Sequence, residues 1–448
     1  MTPSSRCPGT LHRRGFLRAG LVGLSSLGLA DLLRGQAAAA RSVRSPRSMI
    51  VLWLWGGPSH METFDLKPAA PAEYRGEFKP IRTSVPGIEI SEHLPRLARM
   101  AQRWSLIRSM HHNSPGHVNS THTVMTGYPG ELVETAPFRP KHPDLWAVTQ
   151  RVLGQRVPGA PTHVAMPFVR YNGSAYLGGG LDPFVVAGDP TKAGFSAGSL
   201  SLPDTEQGRL RGRLQLLGQV DRFRRETEQV AGQSHDRYTQ QAADLLTSSA
   251  TARAFDLRQE PTSVRERYGM DQVGQRCLLA RRLVEAGVRL VSIDFPCVPG
   301  QKAFSWDDHA SVWNIFEQMK IRLPVLDRVV SALVEDLAMR GLDRDTLVVV
   351  MGEMSHTPKL SNHQGQPGRE HWGQTMSVFL AGGGLPMGQV IGSTNARGDE
   401  PRTRPVSPGD LLATWYAYLG VPLDTTFADA AGRPIPVAPG TPLAELVG

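Results

Sequence analysis

The stretch Met49-Ile-Val-Leu-Trp-Leu-Trp55 is a continuous apolar run that stops at Gly56-Gly57-Pro58. Strands buried on both faces read this way, and such strands belong to parallel sheets covered by helices. The same signature recurs outward from it. Trp104 to Ile107 is a second apolar run, and His163-Val-Ala-Met166 is a weaker one. Val288-Arg-Leu-Val-Ser-Ile293 and Thr346-Leu-Val-Val-Val-Met351 are clear strands, and Thr375-Met-Ser-Val-Phe-Leu380 runs into Ala381-Gly-Gly-Gly384. Helical spacing separates them, over Gly208 to Ser248, Gly274 to Ala286 and Val312 to Arg340, the last ending at Gly341. Ser407-Pro-Gly-Asp410 has capping character before Leu411 to Leu419. Strands alternating with helices predict an α/β fold, with a mostly parallel central sheet and helices on both faces. Residues 129–262 show weaker strand signals and are expected to form a largely helical insertion.

The chain has 448 residues, 40% hydrophobic and 20% charged, which suits a globular protein with a sizeable core. Its formal net charge is +8, and residues 1–40 supply half of it through five arginines and one aspartate. Those residues read as a targeting segment. Arg13-Arg14-Gly15-Phe16-Leu17 precedes the apolar stretch Ala19 to Leu33, and the small residues Ala37 to Ala40 follow. This is a twin-arginine-type signal peptide, with His12 where a Ser or Thr usually stands. Residues 41–47 then form a linker, and residues 48–448 the folded domain. Export to the periplasm or cell envelope is expected, with no transmembrane anchor in the mature chain. No dense Lys/Arg run appears, so nucleic acid is not an expected partner. Cys277 and Cys297 are expected as buried thiols, with a disulfide open to an exported protein.

In open α/β sheets, sites gather beyond the carboxyl ends of the strands. His60, Glu62 and Asp65 follow the first strand, and His111, His112, His117 and His122 follow the second. Asp294, Asp307, Asp308 and His309 follow the strand at 288–293, and Glu353, His356, His363, Glu370 and His371 follow the one at 346–351. Nine of the 14 histidines fall in these four loops, which points to a metal site. The second loop also opens a helix, whose first N–H groups would suit an anion.

Three segments resemble the alkaline phosphatase and sulfatase superfamily. Val124-Met-Thr-Gly-Tyr-Pro129 is similar to the end of the sulfatase signature, Leu347 to Glu353 to the strand that leads into a metal-binding Ser-Asp-His-Gly, and Pro405 to Val421 to the closing strand and helix. A narrower resemblance is carried by Gly56-Gly57-Pro58-Ser59-His60, Thr63-Phe64-Asp65, Glu92-His93-Leu94-Pro95, Arg108-Ser109-Met110-His111, Trp306-Asp307-Asp308-His309, Met351-Gly352-Glu353 and Val406-Ser407-Pro408-Gly409-Asp410. In that order they are similar to the exported bacterial family called domain of unknown function 1501. Both resemblances imply an alkaline-phosphatase-like core.

The superfamily pattern also breaks in places. Its metal-binding aspartate at the end of the first strand is Gly56-Gly57 here, which leaves His60, or Asp65, to serve. Its nucleophile falls on His117, which cannot become a formylglycine but can ligate a metal or act as a base. Ser120 and Thr121 are the nearest hydroxyls and the substitute nucleophiles. Its Asp-His pair becomes Glu353-Met354, with His356 as a candidate replacement for the imidazole. The related Phe-Gly-Arg-Thr-Pro is Met354-Ser-His-Thr-Pro358, so an anion-binding arginine is missing.

Taken together, the expected ligands of a divalent metal are His60, His117, His122, Asp307, His309, Glu353 and His371. Zinc suits the imidazoles, and calcium or manganese a carboxylate-rich set. Arg108 or Arg369 would hold the substrate anion. The expected function is metal-dependent hydrolysis of phosphate or sulfate esters, with a glycan or other ester as substrate. The alternative is a catalytically degenerate binding or assembly protein of the cell envelope, with a secreted protein partner.

Overall fold

Eight strands make the central sheet of the computed structural model, which describes residues 47–448 except 132–133, 135, 137, 169, 193–194, 196–248, 296–297 and 303–304. In chain order come β1 (Ser48–Trp53), β2 (Trp104–Met110), β3 (His163–Met166), β4 (Phe184–Val185), β5 (Leu290–Asp294) and β6 (Thr346–Met351). Next come β7 (Ser355–His356) and β8 (His371–Trp372), an antiparallel pair outside the sheet. β9 (Met376–Gly382) and β10 (Val390–Ile391) return to it. The sheet order is β10-β2-β9-β6-β1-β5-β3-β4. Only β9 runs against its neighbours, β2 and β6, and all other adjacent pairs are parallel.

β1 is central, hydrogen-bonded to β5 on one side and β6 on the other, and all six of its residues are buried. Its side chains alternate between two cores, as the pleat requires. Ile50 and Leu52 join the core covered by α3 (Gln272–Glu285) and α4 (Ile315–Met339). Met49, Val51 and Trp53 join the core covered by α1 (His117–Thr126), α2 (Leu145–Leu153) and α5 (Pro408–Leu419). Each fully buried Leu, Ile or Met contributes roughly 1.5–3 kcal/mol of apolar burial, so both faces of this strand drive folding.

Local chemistry sets the helix starts. Asp144 accepts from Ala147 N at the start of α2, and Asp271 from Gly274 N at the start of α3. Ser407 and Asp410 form a reciprocal capping box on α5, as their spacing predicts. The expected strands at 288–293 and 375–380 are each displaced by one or two residues.

Within residues 129–262, the described part supplies α2, the helix Ser249–Phe255 and the strands β3 and β4, while 196–248 lie outside the described residues. The expected strand at His163–Met166 is β3, which pairs with β5 in the main sheet, and β4, of two residues, is too short to stand out in the sequence. The helices expected over Gly208 to Ser248, the signal segment and Cys297 lie outside the described residues, while Cys277 is a buried free thiol. Among the described residues, no helix is long and apolar enough to cross a membrane.

Candidate metal centre

Because β1, β2, β5 and β6 are parallel, their carboxyl ends share one edge of the sheet. The β2 strand leads through residues 111–116 into α1, whose first residue is His117. Glu353 follows β6 by two residues and is fully buried. The turn after β1 completes the floor. Gly56 N donates to Glu353 Oε1 at 2.9 Å, and Trp55 O accepts from Trp306 N at 2.8 Å. The chain at 306–307 therefore crosses directly above Gly56. A Cβ there would meet Asp307 N at 2.5 Å, and Gly56 has φ +102°. Only glycine fits this position, and its bareness admits Asp307. Gly56→Ala is expected to destabilise the fold by about 2–4 kcal/mol, measured by denaturant unfolding, and to displace Asp307.

Four imidazoles converge on Asp307. His117 Nε2 lies 3.2 Å from Oδ2. His309 Nε2, His371 Nε2 and His356 Nε2 lie 2.8, 3.2 and 3.3 Å from Oδ1. Three of these rings are anchored through the other nitrogen. His117 Nδ1 is 2.7 Å from Glu353 Oε1, His309 Nδ1 bonds Glu370 Oε2, and His371 Nδ1 is 3.3 Å from Pro115 O. A partner on Nδ1 fixes the ring and turns Nε2 inward, as at histidine metal sites. The antiparallel β7–β8 pair places His356 directly opposite His371. The ligand atoms of His117, Asp307 and His371 lie within 4.8 Å of one another.

Buried ligand atoms are left over. Glu353 Oε2 and His356 Nδ1 make no hydrogen bond. Unpaired buried polar atoms cost free energy, so their concentration here calls for an occupant. The donor set, imidazole nitrogens with two carboxylates, fits a divalent cation of the zinc type. His117, Asp307, His309 and His371 keep side-chain exposures of 16, 24, 19 and 29%, so the centre opens to solvent.

The electrostatics match. Burial disfavours charge on His117, but hydrogen bonds to Asp307 and Glu353 outweigh it and raise the imidazole to about 10. Its bond to Asp307 raises His309 to about 9 against the effect of burial. Burial opposes charge on Asp307 as well, yet hydrogen bonds from the four histidines hold it well below the usual carboxylate range. Protons and a cation compete for the same Nε2 atoms.

The remaining expected residues stand elsewhere. His60 is buried with Nδ1 2.6 Å from Ser355 Oγ and Nε2 3.0 Å from Gly398 O, so both nitrogens are spent on the fold. His122 is likewise occupied: Nδ1 lies 3.0 Å from Tyr128 O, and Nε2 accepts from Lys141 N and His142 N. Arg369 is fully buried against Glu62, with Nη2–Oε1 at 2.6 Å and Nε–Oε2 at 2.9 Å. Arg108 donates to Glu89 O at 2.7 Å and lies 3.7 Å from Asp65. Neither arginine faces the centre. Ser120 Oγ donates to Ser114 O at 3.3 Å, while Thr121 Oγ1 is buried one turn beyond His117 without a partner. The N–H groups opening α1 are also taken: Val118 N and Asn119 N donate to the Glu134 carboxylate at 2.9 and 3.1 Å.

Glu370, one of the residues expected in the loop after β6, and two further contributors, Arg170 and Trp55, shape the centre. Glu370 orients His309. Arg170 pairs with Asp294 through two hydrogen bonds, of 3.1 and 2.8 Å, and its Cζ sits 3.8 Å over the Trp55 ring. Trp55 in turn lies 5.5 Å from His117, so a chain of contacts links Arg170 to this wall of the centre. The only signal for it was the aspartate at the end of β5.

Burial holds His60 and His122 down at about 4, and His163 at about 3. Each is neutral in the fold but charges near 6.5 when unfolded. Their contribution is present above pH 6.5 and is lost as pH falls through 4 toward 3. His117 is protonated in both states below 6.5, so it does not offset this loss. The three histidines should make stability fall between pH 6.5 and 4, read from urea midpoints, against the opposing effect of Asp144 and Asp308, which burial raises to about 7 and which take up protons in the fold over the same range.

No curated protein matches the sequence. Solved structures similar to it include a sulfatase from Pseudoalteromonas sp., 12% identical, TM-score 0.38, covering 86% of this chain and 70% of that one. The phosphonate monoester hydrolase of Agrobacterium radiobacter is 12% identical, TM-score 0.40, covering 90% and 77%. The zinc complex of the periplasmic domain of EcEptC from Escherichia coli is 10% identical, TM-score 0.35, covering 85% and 84%. Likeness this distant says nothing about the chemistry of the centre. A family model matches residues 46–447, nearly the whole described chain, and the protein belongs to the family described as "Protein of unknown function (DUF1501)".

Proposed function

We propose that the protein is an exported, divalent-metal-dependent hydrolase of phosphate or sulfate esters. The observation that carries this is the convergence of three Nδ1-anchored imidazoles, His117, His309 and His371, on Asp307 beside unpaired ligand atoms. These residues, with Glu353 and His356, would hold the ion. When bound, such an ion polarises an ester oxygen and acidifies water. Glu353 orients His117, Glu370 orients His309, and Arg170 would hold the ester anion at the Trp55 wall. Ser120 Oγ is spent on Ser114 O, and water activated by the ion is the nucleophile in this reading. Purified protein should bind zinc and cleave an aryl phosphate or aryl sulfate in proportion to metal content. Failure of both tests would sink the proposal.

One feature favours a second reading, a binding protein that keeps the fold without turnover. Glu134 places a carboxylate on the amino end of α1, where a substrate anion would be received. Under that reading Glu134→Gln changes no rate, whereas under hydrolysis it lowers KM for an anionic ester.

A further inference from the structure

The opposite edge of the sheet carries a second concave feature. The short helix Pro95–Arg99 and the turn Ala101–Arg103 lead directly into β2, so they lie at its amino end. The metal centre lies beyond the carboxyl end, seven residues and about 20 Å away along the strand. A cleft of about 420 Å³ opens there, lined by Arg96, Arg99, Arg103 and Arg267 with Ser331 and Glu335 of α4. That volume is in the range of ligand sites.

The platform beneath the arginines is rigid. Asp327 of α4 accepts from Arg96 N at 2.9 Å and Leu97 N at 2.8 Å. Trp104 Nε1 donates to Leu97 O at 2.8 Å, and Ala101 N to Ser84 Oγ at 2.9 Å. Arg96, Arg99 and Arg103 are exposed and outnumber the nearby carboxylates, the buried Asp327 beneath them and Glu335 in the lining. Arg267 reaches Asp336 at 3.3 Å, but its buried Nε has no partner. Three exposed guanidiniums are thus rooted along roughly 10 Å of helical chain.

We propose that this cleft is an ancillary site for a polysaccharide bearing sulfate or phosphate esters, which anchors the protein away from its metal centre. Guanidinium forks pair bidentately with such esters. The cleft is concave, and none of its lining residues is an exposed large hydrophobic, which disfavours a bilayer as the occupant. No aromatic ring lines it to stack a base, which disfavours nucleic acid.

The test is binding of dextran sulfate to the full chain at 50 and 300 mM salt. Unsulfated dextran, phosphatidylglycerol vesicles and duplex DNA serve as comparators. Dextran sulfate should bind at low salt and weaken at high salt, and plain dextran should not bind. Arg96→Gln/Arg99→Gln/Arg103→Gln should weaken binding at least tenfold with unchanged thermal midpoint, and Asp307→Asn should leave it intact. Absence of binding, binding untouched by the triple substitution, or equal or tighter binding of vesicles or DNA would overturn the proposal. So would binding that Asp307→Asn abolishes, since that would put the polymer in the metal centre.

Discussion

Asp307→Asn is expected to weaken zinc binding by roughly 100-fold or more and to remove metal-dependent hydrolysis with it. Asp307 is the point on which four imidazoles converge, and its carboxylate is held ionised by them despite burial. An amide keeps the shape but presents one neutral oxygen and an NH2 group. That group would confront Nε2 atoms whose direction is set by Glu353, Glu370 and Pro115 O. Even orienting partners of metal ligands typically contribute 10–100-fold in affinity, so a ligand at the centre of the set should contribute more. Zinc affinity by competition with a chelating dye checks the first part, and turnover of an aryl ester the second. A variant that binds zinc as tightly as the parent would exclude Asp307 from the ligand set.

Arg369→Met is expected to destabilise the protein by about 3–5 kcal/mol while leaving metal affinity intact in the folded fraction. Arg369 is fully buried, paired through two hydrogen bonds with Glu62, and also donates to Tyr74 O at 2.9 Å and Thr357 O at 3.1 Å. Removing it strands the buried Glu62 carboxylate without its countercharge. Glu62→Leu/Arg369→Met should recover part of the loss, because the uncompensated charge is then gone. Urea unfolding of the three variants reads this directly. An Arg369 that received substrate would instead show a raised KM with little loss of stability.

The fold was legible because its signals are local. Continuous apolar runs such as Met49 to Trp55 mark strands sheltered on both faces, and Ser407–Asp410 marks a helix start by its own hydrogen bonds. β3 and β4 were the weak points, since short strands borrow their stability from β5. The region of the centre was legible through topology: parallel strands deliver His117, Asp307, Glu353 and the histidines after β6 to one edge.

Which of those histidines meet was not legible. His60 and His122 lie in the same loops as the centre, but backbone carbonyls, amides and Ser355 satisfy them. Such partners come from residues up to 338 positions away, and spacing along the chain does not reveal them. His356 reaches Asp307 with Nε2 at 3.3 Å, from a position that the β7–β8 ladder sets opposite His371. Arginines behaved the same way. Arg369 follows the Gly/Gln-rich loop and looked free, yet Glu62 claims it, while Arg170, signalled only by the aspartate that ends β5, stands over Trp55.

The proposed hydrolysis requires that the His117–Asp307 cluster hold a divalent ion. Diffraction from crystals grown with zinc, collected on both sides of the zinc absorption edge, tests it most directly. An anomalous peak is expected within ligand distance of Asp307 and of the Nε2 atoms of His117 and His371. An anomalous map with no peak there, together with full retention of stability after exhaustive chelation, would contradict it.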